Sequence, residues 1–168
     1  MRRMLKTMFP FALAAFLILL TGCGSGQSST NGDKQQISEF EQKFTTDSLI
    51  KVFKDAALPV GPVTTYDAST DPNELLGRPG QYVGKAKWVE TRIKQSSIQG
   101  SDPKGGDVEI FDSQKSMDQR WQYLGGFSDS SLLGFYMYHS GNAIVRLEHD
   151  LTPDQAAEYE AALKSATQ

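Results

Sequence analysis

Hydrophobic positions recur along this chain with two different periods, and their order predicts a small α+β domain. Leu49, Val52, Phe53 and Ala56 fall at i, i+3, i+4 and i+7, the apolar stripe of a helix. Thr45-Thr46-Asp47 offers an N-cap ahead of it, and Leu58-Pro59 ends it, because a residue before proline avoids the helical region. Ile37, Phe40 and Phe44 have similar spacing and predict a short first helix, read as packed on the core in preference to a mobile amphipathic arm. Gly61-Pro62, Asp71-Pro72, Gly77-Arg78-Pro79-Gly80 and Gly84 then mark a turn-rich stretch. No Gly-Lys-Ser/Thr follows these glycines, so they read as tight turns and not as a phosphate loop.

Beyond the turns, β-prone chemistry takes over. Lys85–Ile93 reads as a strand and Asp107–Phe111 as a second, separated by the polar loop Gln99–Gly106. Asp112 or Ser113 caps the next helix, whose one apolar face is Met117, Trp121 and Leu124, and Gly125-Gly126 stops it. Leu132–His139 and Ala143–His149 form a hairpin around Ser140-Gly141-Asn142. A Gly141-Asn142 loop sets Tyr138 opposite Val145 and Tyr136 opposite Leu147, an apolar face expected to receive Trp121. The reverse face mixes Phe135, Met137 and Ile144 with His139, Arg146 and Glu148. Thr152-Pro153-Asp154-Gln155 announces a last helix with a capping box and proline at its first position. The expected fold is a four-stranded, mostly antiparallel sheet with helices packed on one face.

The N-terminus follows another logic. Arg2, Arg3 and Lys6 precede an apolar run from Phe9 to Leu20, interrupted only by Pro10. A spanning helix needs about 20 apolar residues, so this run fits the hydrophobic region of an export signal better. It ends in Leu20-Thr21-Gly22-Cys23, which resembles the lipobox of bacterial lipoproteins. The resemblance implies a signal peptide over residues 1–22, a diacylglyceryl group on the sulfur of Cys23, and cleavage before that cysteine. Two acyl chains anchor a protein stably at a bilayer, where one does so only marginally. Cys23 is the sole cysteine, so an internal disulfide is excluded. Residues 23–36 then read as the lipidated cysteine and a flexible linker, whose thirteen residues after Cys23 span roughly 20 Å as a coil. Gly24 leaves no aspartate after the cysteine, and aspartate there is the family's inner-membrane retention signal in Gram-negative cells. Residues 37–168 make the single folded domain.

Charge and chemistry narrow the function. Without Arg2, Arg3 and Lys6 the chain keeps 14 basic against 20 acidic side chains, a net charge of −6. That balance argues against a nucleic-acid partner and against lying flat on anionic lipid. His139 and His149 point to opposite faces of the hairpin, so no shared metal site is expected, and no cofactor motif is present. No Ser-His-Asp or Cys-His set is evident either. Glu90 and Arg92 of the Trp88 strand, with Arg146 and Glu148 of the hairpin, read as cross-strand ion pairs. Asn73–Tyr82 and Leu151–Tyr159 are similar to stretches of small Gram-positive lipoproteins, a likeness that implies no activity. The expectation is a lipid-anchored envelope protein on the extracytoplasmic side of the cell membrane. It acts there as a non-enzymatic interaction module for an envelope protein partner. The alternative is a small surface-tethered ligand-binding protein or hydrolase.

Overall fold

A computed structural model describes residues 40–128 and 134–168, so Cys23 and the stretches read as export signal and linker lie outside the described residues. Three helices and five strands follow in the order α1 (Thr46–Asp55), β1 (Val60–Thr65), β2 (Gly84–Glu90), β3 (Gly105–Ile110), α2 (Gln114–Ser128), β4 (Phe135–Ser140), β5 (Ala143–Glu148) and α3 (Pro153–Ser165). The strands form one antiparallel sheet in the order β1-β2-β3-β5-β4. The fold is therefore α+β with five strands, one more than the pattern predicted. The extra strand is β1, which lies inside the stretch read as turns. Pro62 obscures it, because proline cannot donate to a ladder and is tolerated only at an edge or a bulge. β1 is an edge strand, and its register shifts between Val60 and Val63.

The helices do not share one face, and this corrects the second half of the expectation. α1 and α3 bury Leu49, Ile50, Phe53, Ala156, Tyr159 and Leu163 against Ala86, Trp88, Val108, Val145 and Leu147. α2 lies on the reverse side, where Met117 and Leu124 meet Ile144, Phe111 and Tyr82. The hairpin register is the predicted one, with Tyr138 opposite Val145 and Tyr136 opposite Leu147. Those four residues face α1 and α3 and never meet Trp121. Trp121 is instead half-buried beside Phe135 and Met137, its ring edge-on to His139 at 4.5 Å. The aromatic that fills the main core is Trp88, 1% exposed, with ring centroids 5.5 Å from Phe53 and 5.7 Å from Tyr159.

Two loop readings also change. Phe40–Thr45 has no helical turn; Phe44 is buried in the main core, and Phe40 packs, partly buried, against the cluster beneath α2. The Phe44 backbone is clamped by buried Asn142, which accepts from Phe44 N at 2.7 Å and donates to Phe44 O at 3.0 Å. Gly105-Gly106 begins β3 and does not close the loop before it, because a Cβ on either glycine would overlap Trp88. Gly125-Gly126 lies within α2, which continues to Ser128.

The helix ends carry the local signals that specify them. Thr45 and Thr152 cap α1 and α3 in full capping boxes, completed by Ser48 and Gln155. α1 closes in a Schellman turn: Leu58 N donates to Phe53 O and Ala57 N to Lys54 O. Ala57 sits at the left-handed position of that turn, with φ 57°. Glycine occupies such a site without steric cost. Ala57→Gly is accordingly expected to raise unfolding free energy by about 0.5–1 kcal/mol. A denaturant melt checks it; an unchanged or lower midpoint contradicts this account of the turn.

Candidate functional site

The sheet face beneath α2 carries the charges. Side chains alternate along a strand, so core residues on one side leave Lys85 and Lys87 of β2, Asp107 and Glu109 of β3, and Arg146 and Glu148 of β5 on the other. The register places Lys85 opposite Glu109, Lys87 opposite Asp107, and Asp107 opposite Arg146. Opposite signs thus stand across the β2–β3 and β3–β5 gaps.

α2 and the loop before β2 complete the network. Arg120 donates through Nε and Nη2 to the two oxygens of Glu109, at 2.7 and 2.6 Å. Arg146 donates through the same pair of nitrogens to Asp107 Oδ1 at 2.9 and 2.7 Å, and its Nη2 lies 3.6 Å from Glu109. Glu109 is 1% exposed, so two guanidiniums hold one buried carboxylate. At the other end Asp71 is equally enclosed. It accepts from Lys85 Nζ at 2.8 Å, from the Tyr82 hydroxyl at 2.6 Å, and from the backbone N–H groups of Leu75 and Leu76 at 2.9 and 3.0 Å. The loop that sequence reading gave to turns is therefore folded around a charge.

The electrostatics follow from these contacts. Burial pushes the Asp71 carboxyl up, but Lys85, Tyr82 and the backbone donors outweigh it and hold the group well below the usual carboxylate range. Burial, reinforced by the bond to Asp71, pushes the Tyr82 hydroxyl far up. Asp107 is also raised: burial dominates, with Arg146 opposing it. Glu148 is raised by burial against the pull of Lys87. Arg120 and Arg146 are raised although burial works against their charge, because Glu109 and Asp107 stabilise it.

Between α2, the Asn73–Leu75 loop and the β4–β5 surface lies an open cleft of about 720 Å³, within the size range of small-molecule sites. Asp107, Arg120, Arg146 and Glu148 line it. Aromatic residues form its walls: Arg120 stacks over Tyr123 at 5.3 Å and Arg146 over Phe135 at 5.4 Å. Tyr123 and Phe127 stand at the rim, 60% and 38% exposed, with ring centroids 5.2 Å apart.

The residues singled out from sequence are scattered. His139 sits against Trp121 on the α2 side, and His149 lies 5.0 Å from the Tyr136 ring on the other. The two histidines thus stay apart, and no group of three metal-ligating side chains exists among the described residues. The cross-strand pairing expected of Glu90 and Arg92 with Arg146 and Glu148 does not form, because β3 separates β2 from β5. Buried Glu90 bonds instead to Arg92, two residues along the chain, at 3.0 Å and takes the Tyr159 hydroxyl at 2.6 Å. Arg146 pairs with Asp107 and Glu109 of the neighbouring strand and not with Glu148, two residues along its own.

The network of Asp71, Lys85, Glu109 and Arg120 escaped the sequence reading because no motif spans it. Its signal was the parity of Lys85/Lys87 against Asp107/Glu109 in adjacent strands, which registers only once the strands are paired. No helix among the described residues is long and apolar enough to cross a membrane. Comparison with protein-family models, curated proteins and solved structures finds no match.

Proposed function

We propose that this chain is an envelope lipoprotein, held on the extracytoplasmic side of the cell membrane by a diacylglyceryl group on Cys23. Its folded domain is a non-enzymatic interaction module that contacts an envelope protein partner through the rim of the α2 cleft. Leu20-Thr21-Gly22-Cys23 after a short apolar run supports the anchor. The observation that carries the binding role is the pair Tyr123 and Phe127, exposed aromatics above a floor of mutually bonded charges. Aromatic side chains gain most from being covered by a partner, and ion pairs saturated within the domain hold the floor rigid.

The test is a photo-crosslinking amino acid at Tyr123 in intact cells, with Lys94 as an exposed control. The expected result is one discrete protein adduct from Tyr123, none from Lys94, and loss of the adduct together with detergent partitioning in Cys23→Ser. Equal adducts from both positions would overturn the docking role. A Cys23→Ser protein that partitions like wild type would overturn the anchor.

A second reading, a surface ligand-binding protein or hydrolase, draws support from two carboxyls, Asp107 and Glu148, raised by burial in one cleft. Turnover of a small substrate that is lost in Asp107→Asn or Glu148→Gln, with folding retained, would favour it.

A further inference from the structure

The two edges of the sheet are built differently. β1 carries Pro62, which cannot donate to a ladder, and a register shift between Val60 and Val63. Both are standard protections against pairing with another chain. Among the described residues β4 is the opposite edge, with β5 as its one neighbour. Its sequence, Phe135-Tyr136-Met137-Tyr138-His139-Ser140, has no proline and no Lys, Arg, Asp or Glu, and it pairs with β5 in unbroken register. In an antiparallel ladder every second residue of an edge strand aims its N–H and C=O outward, so β4 presents a row of strand-pairing groups.

The space beside β4 has the shape of a strand site. A groove of about 520 Å³ is lined by the consecutive residues Phe135, Tyr136, Met137 and Tyr138, with Trp121 on one side and His149 on the other. Consecutive strand residues point to opposite faces. A groove that touches all four must therefore run along the edge itself.

We infer that β4 pairs with β4 of a second copy of this chain, across a two-fold axis at Met137, joining two sheets into one of ten strands. Self-pairing fits the side chains. Antiparallel pairing about Met137 sets Met137 opposite Met137 of the partner copy. It sets Tyr136 opposite the partner's Tyr138, and Phe135 opposite the partner's His139. Each residue keeps its own face, so the two Tyr136–Tyr138 pairs extend the α1/α3 face and the two Phe135–His139 pairs the α2 face. No like charges are brought together, and aromatic cross-strand pairs are among the favourable ones. An interface that repeats the same patch on both copies closes at the dimer.

The test is disulfide trapping in isolated membranes, with the full chain carrying Met137→Cys, Thr64→Cys on the β1 edge, or neither. Two differently tagged copies are expressed together so that a homodimer is identified directly. Residues facing each other across a two-fold β pair have Cα atoms about 4.5–5.5 Å apart, inside the disulfide range. The Met137→Cys variant is therefore expected to give roughly tenfold more tagged homodimer than the Thr64→Cys variant. The unsubstituted chain reports any contribution from Cys23, and an unchanged unfolding midpoint shows that Met137→Cys leaves the fold intact. Equal trapping at the two edges, or none at either, overturns the inference. An adduct of Met137→Cys with a different protein also overturns it, by showing that the edge serves another partner. The interaction reading above survives each of these outcomes, because it is tested at Tyr123.

Discussion

Trp88→Ala is expected to lower unfolding free energy by about 3–5 kcal/mol, the range for emptying a large aromatic site. Trp88 is on β2, on the two-helix face of the sheet, and is 1% exposed. It touches one aromatic from each helix, Phe53 of α1 and Tyr159 of α3, and these two meet edge-on with centroids 5.1 Å apart. Its indole N–H also donates to the Tyr159 hydroxyl at 3.4 Å, which in turn donates to buried Glu90 at 2.6 Å. Truncation would open a void at the junction of all three elements and loosen the buried carboxylate. Gly106 reports on the same packing from the other side. Its missing side chain makes room for the Trp88 ring, so Gly106→Ala overpacks the site and is expected to cost about 1–3 kcal/mol. That cost should largely vanish in the double variant with Trp88→Ala, since the ring it strikes is gone. Denaturant melts of the four proteins measure both effects. Additive losses would mean that Gly106 is needed for some reason other than Trp88. A loss under about 1 kcal/mol for Trp88→Ala would mean that the core is organised elsewhere.

Asp71→Asn should be comparably severe, about 3–5 kcal/mol, because it strands a buried cation. Lys85 is 4% exposed and its ammonium has the Asp71 carboxylate at 2.8 Å. The amide also accepts fewer of the bonds that now fold the Asp71–Tyr82 loop. Lys85→Met in the Asp71→Asn background should recover part of the loss, since it removes the charge left without a partner. Acid dependence gives an independent check. The folded-state pKa of Asp71 lies below its unfolded value, so its contribution is full above the ordinary carboxylate range. It is lost as the pH falls below about 4 toward the folded pKa. Wild type should therefore lose more stability than Asp71→Asn over that acid window. Parallel pH profiles for the two proteins would show that Asp71 is not the charge that holds the loop.

Both predictions rest on residues that the sequence marked unevenly. Trp88 was legible as a strand residue, but its place at the core centre was not, and Trp121 was expected there instead. The difference lies in which sheet face each helix covers. A helix with the apolar face Met117, Trp121 and Leu124 can pack on either side of a sheet, and nothing within the helix chooses. The choice falls to the reverse face, where Ile144, Phe111 and Tyr82 receive Met117 and Leu124. Trp121 is left near the β4 edge, half-covered. Asp71 was read only as part of an Asp-Pro turn, and its five bonded partners include Tyr82 and Lys85, 11 and 14 residues away.

What the sequence determined by itself was whatever a few neighbouring residues can settle. Thr45 and Thr152 start their helices because side-chain oxygens there satisfy backbone donors three residues on. Gly141-Asn142 sets the hairpin register because a two-residue loop leaves one way to align its strands. The α+β class follows from the two periods of apolar residues. The tertiary structure decided everything that needed a partner distant in the chain. It added β1 as an edge that tolerates Pro62, sent α2 to the opposite face from α1 and α3, and bonded Arg120 to Glu109 and Lys85 to Asp71. Those choices depend on which strands pair and which faces are left open. Such non-local pairings are selected by the burial of the whole core, and no local stretch of residues encodes them.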